Sequence, residues 1–228
     1  MNFDILFENE HLIVVDKPCG FLSVPSRWGN TDERPCLGTA LQAHLGLQIY
    51  PIHRLDEETS GVILYSKSKE LHKILNAAFE KHELVKIYQA VCERQIDACD
   101  FKIGEHLEDK VLRGKKRTYQ SPAGQHAETV IEKINLLENP FWGFELKPLT
   151  GRSHQIRFQL SSRGYSIIGD FLYGAKQDTV GKYVVFPNAS LPNKGIALRA
   201  IKLDLAPIKN RLEKFNIPIC FQVGQNLF

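Results

Sequence analysis

His53-Arg54-Leu55-Asp56-Glu57-Glu58-Thr59-Ser60-Gly61 runs directly into Val62-Ile63-Leu64-Tyr65. A charged, turn-forming segment thus feeds a continuous apolar strand. Thr59 and Ser60 are turn residues, and Gly61 accepts backbone angles that other residues resist. Side chains just before such a strand sit on a fixed loop at the edge of a sheet, where rigid scaffolds present catalytic groups. Asp56 is the carboxylate in that position, with Arg54 two residues before it. Taken alone, the pair reads more readily as a solvated turn or a surface ion pair.

A chain of 228 residues suits one large domain or a domain with an elaborated subdomain, and is long enough to bury a substantial core. Hydrophobic residues make up 43% and charged residues 24%, which places it among globular proteins. A net charge of +3 permits a nucleic-acid partner without demanding one. The five cysteines are odd in number and contain no Cys-x-x-Cys pair, which argues against a disulfide framework or a zinc ribbon. Met1 to Leu6 lacks the features of a signal peptide, and no apolar run approaches the roughly 20 residues of a membrane span. A cytoplasmic location is the expectation.

Upstream of the opening stretch, Phe3 to Phe7 and Leu12 to Val15 predict a β-hairpin or two adjoining strands. Asp16-Lys17-Pro18-Cys19-Gly20 breaks the pattern, and Phe21 to Pro25 is a short extended piece. Ser26 to Pro35 reads as a polar loop, whose Arg27 and Trp28 either touch a ligand or pack back on the surface. Leu37 to Leu45 suits a helix closed by Gly46. Ser68 is placed to cap a second helix, in which Leu71, Ile74, Leu75, Ala78 and Phe79 form one stripe and His82 falls at the boundary.

Val85 to Glu93 reads as a strand with Tyr88, Ala90 and Cys92 on one face. Asp97 to Asp109 is less regular, with a short edge strand and a loop. Lys110 to Arg117 holds five basic residues with Tyr119 close by. It reads equally as a phosphate-binding, base-stacking segment or as a solvated charged loop. Ala127 to Ile134 and Trp142 to Leu149 read as strands. Thr150-Gly151-Arg152 turns into a helix capped near Ser153 and ended by Gly164. Arg152, His154 and Arg157 put three potential cations near that helix start, for an anion or for neighbouring carboxylates. Ala197 to Leu205 and Ile219 to Val223 supply the last strands. Strands outnumber helices and follow one another. This predicts an α+β fold in a single domain over residues 1–228, with a mixed, largely antiparallel sheet and flanking helices.

Several stretches together resemble the RluA-type family of RNA pseudouridine synthases. His53-Arg54-Leu55-Asp56-x-x-Thr59-Ser60-Gly61 is similar to its signature. Asp16-Lys17-Pro18-Cys19-Gly20 is similar to an early Lys-Pro-x-Gly turn, and Lys86-Ile87-Tyr88 to a Lys-x-Tyr motif. Thr150 to Arg157 resembles the second long motif, and Ile168-Gly169-Asp170 and Tyr173-Gly174 continue in the usual order. Each fragment is weak by itself; their order and spacing, over roughly residues 4 to 207, make the likeness specific. Gln159, Ser166 and Arg199 depart from the pattern, which often has His, Pro and His there; we read these as changes in RNA contacts. The S4 RNA-binding module of many relatives is absent from the start of this sequence, so the domain is expected to find its RNA unaided or with a partner.

The resemblance implies an isomerisation of uridine to pseudouridine in an rRNA or tRNA stem-loop, by a monomer that needs no cofactor and no metal. Asp56 would be the essential carboxylate, attacking C1′ or taking a proton from C2′, and Arg157 the cation that keeps it ionised. Arg54 would enter the RNA stack where the target base leaves, a flip costing roughly a few kcal/mol. Tyr88 would stack on the flipped uracil, for about 1–3 kcal/mol. Leu198 would close the apolar wall of the pocket. Arg152, with Lys115, Lys116 and Arg117, would hold backbone phosphates. The competing readings are an RNA-binding or RNA-folding module without catalysis, and a hydrolase of nucleosides or glycosides. The hydrolase is disfavoured because Glu57 and Glu58 adjoin Asp56 too closely to flank one sugar.

Overall fold

The structure is a computed structural model that describes residues 3–26, 32–94, 99–137, 140–176, 195–224 and 227–228. Arg27 and Trp28, read as touching a ligand or packing back on the surface, lie outside the described residues. In chain order the elements begin with β1 (Asp4–Glu8), β2 (Leu12–Lys17), α1 (Leu37–Leu45), β3 (Tyr50–Pro51), β4 (Ser60–Ser66) and α2 (Lys69–Glu80). They continue with β5 (Val85–Glu93), β6 (His106–Arg113), β7 (Thr118–Gln120), β8 (Gln125–Leu136) and β9 (Phe141–Pro148). The last are α3 (Gln155–Ser161), β10 (Ser166–Ile167), β11 (Leu198–Asp204) and β12 (Cys220–Gln222). The chain packs as two compact units.

Among the described residues, the first unit comprises residues 3–85 and 200–224. Its strands run β1-β2-β4-β11, with β3 on β4 and β12 on β11. The predicted hairpin is present as antiparallel β1 and β2, and β2 pairs antiparallel with β4 from Leu12 opposite Ser66 to Lys17 opposite Gly61. The apolar run of the opening stretch explains this arrangement. Every residue of β4 is buried, so it lies inside the sheet and is covered on both faces. Each fully buried Ile, Leu or Val there contributes about 1.5–3 kcal/mol before chain entropy is counted. Gly61, the second residue of this strand, has φ +114, and a Cβ on it would lie 2.1 Å from the Ala200 carbonyl oxygen of β11. Only glycine lets the two backbones come that close.

Both helices of the first unit end as their sequences indicate. Gly46 closes α1 in the left-handed region, donating its N–H to the Gln42 carbonyl. The Ser68 hydroxyl accepts from the Leu71 N–H at 3.1 Å at the start of α2. Leu71, Leu75 and Ala78 are the buried stripe of α2, which packs against β4 and β3.

The second unit holds residues 86–176, 195–199 and 227–228 of those described. Its strands run β5-β9-β8-β6-β7, and β10 pairs with β5. The ladders β5/β9, β8/β9, β6/β8 and β6/β7 are all antiparallel. The short edge strand expected before Asp109 is instead β6, an interior strand eight residues long between β8 and β7. Leu107 and Val111 are its buried positions, and the charged residues between them hid the alternation. Much of the basic stretch is therefore strand. Lys110 and Arg113 are on β6, and Lys115, Lys116 and Arg117 form the exposed turn of a hairpin into β7.

Helix α3 packs against β6, β7 and β10. The expected cap at Ser153 is not formed. His154 occupies the N-cap in the left-handed region at φ 52 and makes no side-chain cap. The first turn is held by Gln155 instead, whose Oε1 accepts from the Arg152 N–H at 3.0 Å and the Thr150 hydroxyl at 2.7 Å. Gln159 is fully buried and donates to the Leu107 and Ala127 carbonyls while accepting from the Thr129 hydroxyl. This corrects the reading of Gln159 as a change in RNA contacts. An amide satisfies three groups there, tying α3 to two strands of the sheet.

Candidate active site

The loop carrying Asp56 is anchored on both sides of that residue. Before it, the Ser23 hydroxyl donates to the Leu55 carbonyl at 2.8 Å and accepts the Leu55 N–H at 3.0 Å. The Tyr65 hydroxyl of β4 in turn donates to the Ser23 carbonyl at 2.7 Å, and burial pushes this phenol well above its usual pKa. After Asp56, the Lys17 ammonium donates to the carbonyls of Glu57 at 3.1 Å and Thr59 at 2.8 Å, and to Pro18 at 3.0 Å. The Gly20 N–H also donates to the Glu57 carbonyl at 2.8 Å. The Asp16-to-Gly20 turn thus acts as a clamp on the Asp56 loop. Lys17 is wholly buried. Burial pulls its pKa down to about 8, against the opposing pull of the Cys19, Asp56, Glu58 and Glu57 charges.

The remaining residues of the opening stretch divide between structure and surface. The His53 ring stacks on Phe79 of α2 at 4.7 Å, and its Nε2 accepts the Leu64 N–H at 3.1 Å. Glu57 takes the Arg34 guanidinium at 2.7 Å. Asp56 is half-buried. Arg54 is exposed and has no hydrogen bond or ion pair among the described residues, so a surface Arg54–Asp56 ion pair is not formed.

The second unit holds the other candidates. Tyr88 is half-buried on β5, opposite Leu146 of β9. Leu198 is buried at the start of β11. Arg152 is half-buried and donates from Nε to the His126 carbonyl at 2.9 Å, which orients its guanidinium. Arg157 is 2% exposed and forms a two-pronged pair with Asp170, Nε to Oδ2 at 2.7 Å and Nη2 to Oδ1 at 2.8 Å. Desolvated charges of this kind are tolerated only with such geometry. The three cations expected at one helix start are therefore not equivalent. Arg157 points inward, while the His154 ring lies 3.1 Å from the Tyr173 hydroxyl and 3.4 Å from Arg113.

Lys17, Ser23, Asp170 and Tyr173 had no assigned role in the sequence reading. Lys17, Asp170 and Tyr173 stood inside recognised motifs, but the partners that fix them, Thr59, Arg157 and Thr118, lie 42, 13 and 55 residues away. The Tyr173 hydroxyl accepts the Thr118 N–H at 2.6 Å, joining the basic hairpin to the segment that carries Asp170. Arg157 lies 5.3 Å over the Tyr173 ring. Lys115, Lys116, Arg117 and Tyr119 are exposed on that hairpin.

One group among the described residues has metal-ligand spacing. His106, Glu108 and Glu128 offer atoms within 4.8 Å of one another. Glu128 also pairs with His106 at 2.6 Å and His126 at 3.3 Å, which holds its carboxyl below the usual range. These pairs account for the cluster as an exposed ion-pair network.

A sequence profile of the family described as RNA pseudouridylate synthase matches residues 11–162. A tRNA pseudouridine synthase C of Pectobacterium carotovorum subsp. carotovorum is 34% identical over 184 residues, covering 75% of this chain and 48% of that protein. The protein of the same name from Yersinia pestis is 31% identical over 181 residues, covering 75% of this chain and 70% of its own. This chain thus spans about half the length of the first relative and somewhat over two thirds of the second. The solved structure of human RNA pseudouridylate synthase domain containing 4 superimposes with a TM-score of 0.66 at 23% identity, over 96% of this chain and 87% of that one. The α+β, largely antiparallel architecture is that of this structural family.

Proposed function

The chain belongs to the RNA pseudouridylate synthase family, and from that premise we infer that it isomerises uridine to pseudouridine in RNA with Asp56 as the essential carboxylate. In this reaction the N1–C1′ bond breaks, the uracil turns, and C5 bonds to C1′. The C5 proton is lost and N1 gains one, so no oxidant, reductant or energy source is required. The observation that carries the reading is the setting of Asp56. It sits half-buried on a loop held at Leu55, Glu57 and Thr59, beside an exposed Arg54 with no partner among the described residues. A carboxylate positioned this firmly meets the geometric demand of attack at C1′ or proton removal at C2′.

In the same proposal Arg54 fills the gap left by the flipped base. Tyr88 stacks on the uracil, and Leu198 supplies apolar wall. Arg157 keeps the role of counter-charge to Asp56 that the family pattern implies. Arg152 and the basic hairpin hold phosphates, which makes binding salt-dependent. The substrate is a stem-loop of tRNA or rRNA. The names of the two bacterial relatives put tRNA first in the test. Cytoplasmic residence and a monomeric state belong to the proposal too; none of the five cysteines is in a disulfide, as suits a reducing compartment.

The experiment is release of tritium from RNA labelled at uridine C5. Total tRNA and rRNA from a strain lacking the gene are incubated with folded protein. Release in proportion to pseudouridine formed supports the reading. Binding without release would leave an RNA-binding module on the same fold.

A further inference from the structure

Lys86 stands on β5 two residues before Tyr88, so alternation along the strand puts both side chains on one face. Both are half-buried. Among the described residues the Lys86 ammonium makes no hydrogen bond and no ion pair. Burial pulls its pKa down to about 8, with no charge or hydrogen bond from the described residues opposing it. Lys17 shows the contrast: it is shifted as far, but three carbonyls receive its protons. A lysine that only lays its stem on apolar surface keeps its head in water and its ordinary basicity. Lys86 instead carries a partly desolvated ammonium with nothing to pair it, which costs free energy in the unliganded protein. Methionine would fill the same space without that cost. A residue of this kind is explained when its partner arrives with a ligand.

We propose that Lys86 is a further substrate-binding residue, whose ammonium receives a backbone phosphate of the nucleotide that stacks on Tyr88. The two side chains are about 7 Å apart along β5, comparable to the span from a base to a phosphate of its own or the adjoining nucleotide. An aromatic platform and a cation on one strand face hold a base and its phosphate together. A poorly hydrated ammonium binds phosphate more strongly than a solvated surface lysine, because less water must be removed on contact. The assignment rests on the proposed function only for the identity of the ligand as RNA.

The test compares Lys86→Met and Lys86→Arg with wild type in the full chain, using total tRNA labelled at uridine C5. Lys86→Met is expected to melt no lower than wild type. Its KM should rise about tenfold with kcat changed less than about twofold, and the slope of log affinity against log salt should shrink by roughly one phosphate contact. Lys86→Arg should restore both affinity and slope. A Lys86→Met protein with wild-type KM and salt slope overturns the proposal. So does one that melts lower and whose loss of affinity arginine does not rescue, because the side chain then serves packing. If wild type binds RNA but releases no tritium, and Lys86→Met still weakens binding and flattens the slope, the phosphate contact stands and the isomerase reading falls.

Discussion

Replacing Lys17 by methionine perturbs the clamp on the Asp56 loop without greatly changing its volume. The ammonium donates to three carbonyl oxygens at 3.0, 3.1 and 2.8 Å, and methionine donates to none. The Glu57 carbonyl keeps the Gly20 N–H; the other two are left unsatisfied at about 1–3 kcal/mol each, or about 4 kcal/mol together. The offsetting gain is that no ammonium has to be desolvated. Burial lowers the Lys17 pKa from 10.5 to about 8, a penalty of about 3 kcal/mol on the charged form. The net expectation is a loss of about 1 kcal/mol in urea denaturation at pH 7. Turnover should fall by about tenfold or more, chiefly in kcat, because the loop presenting Asp56 loses its anchors. The pH dependence has a definite sign. The folded pKa lies below the unfolded one, so the unfolded chain keeps this proton to higher pH. Wild-type stability relative to Lys17→Met therefore rises from pH 8 towards 10.5, and that increment is lost as pH falls through 8. A variant as stable as wild type, with a difference flat across pH 7.5 to 9.5, would show that the loop holds without the ammonium.

Gly61→Ala should prevent folding or cost more than about 4 kcal/mol, since its Cβ would lie 2.1 Å from the Ala200 oxygen at a φ of +114; a soluble protein with a wild-type melting curve contradicts this. Arg157→Met removes the two-pronged guanidinium partner of buried Asp170 and should cost about 3–5 kcal/mol, while the double variant with Asp170→Leu should recover part of that. A double-mutant cycle in urea measures the coupling, and additive losses would show the pair contributes nothing jointly. Arg54→Ala should leave the melting temperature within about 1 °C, because an exposed residue with no partner among the described residues carries little stability. It should still lower turnover of structured RNA by at least about tenfold; equal turnover would remove Arg54 from base flipping.

What was legible in the sequence is what local patterns encode. Gly46 and Ser68 end and begin their helices where turn chemistry puts them, and the apolar run Val62 to Tyr65 is buried strand as its composition requires. Val85 to Glu93 matches its strand residue for residue. The misreadings arose where long-range partners decide. Ser153 looked like a cap, but Gln155 holds the turn through Thr150 and Arg152 and frees His154 to reach Tyr173. Gln159 looked like a variation at an RNA surface, yet its three partners belong to β6 and β8, more than 25 residues upstream. The strand within the basic run was not legible because Glu108, Asp109 and Lys110 mask the alternation of Leu107 and Val111. In the candidate site, Asp56 and Arg54 stood out by their place before the strand. The Lys17 clamp could not be seen, because it spans 40 residues to Glu57 and 42 to Thr59.

The central claim is that the anchored Asp56 carboxylate performs the isomerisation. The most direct measurement is tritium release from C5-labelled uridine in tRNA and rRNA by wild type and by Asp56→Asn, alongside RNA affinity and melting temperature for both. The expected result is release by wild type and none above background by Asp56→Asn, with affinity and melting temperature preserved. Release by Asp56→Asn at the wild-type rate would contradict the claim, as would a folded, RNA-binding wild type that releases none.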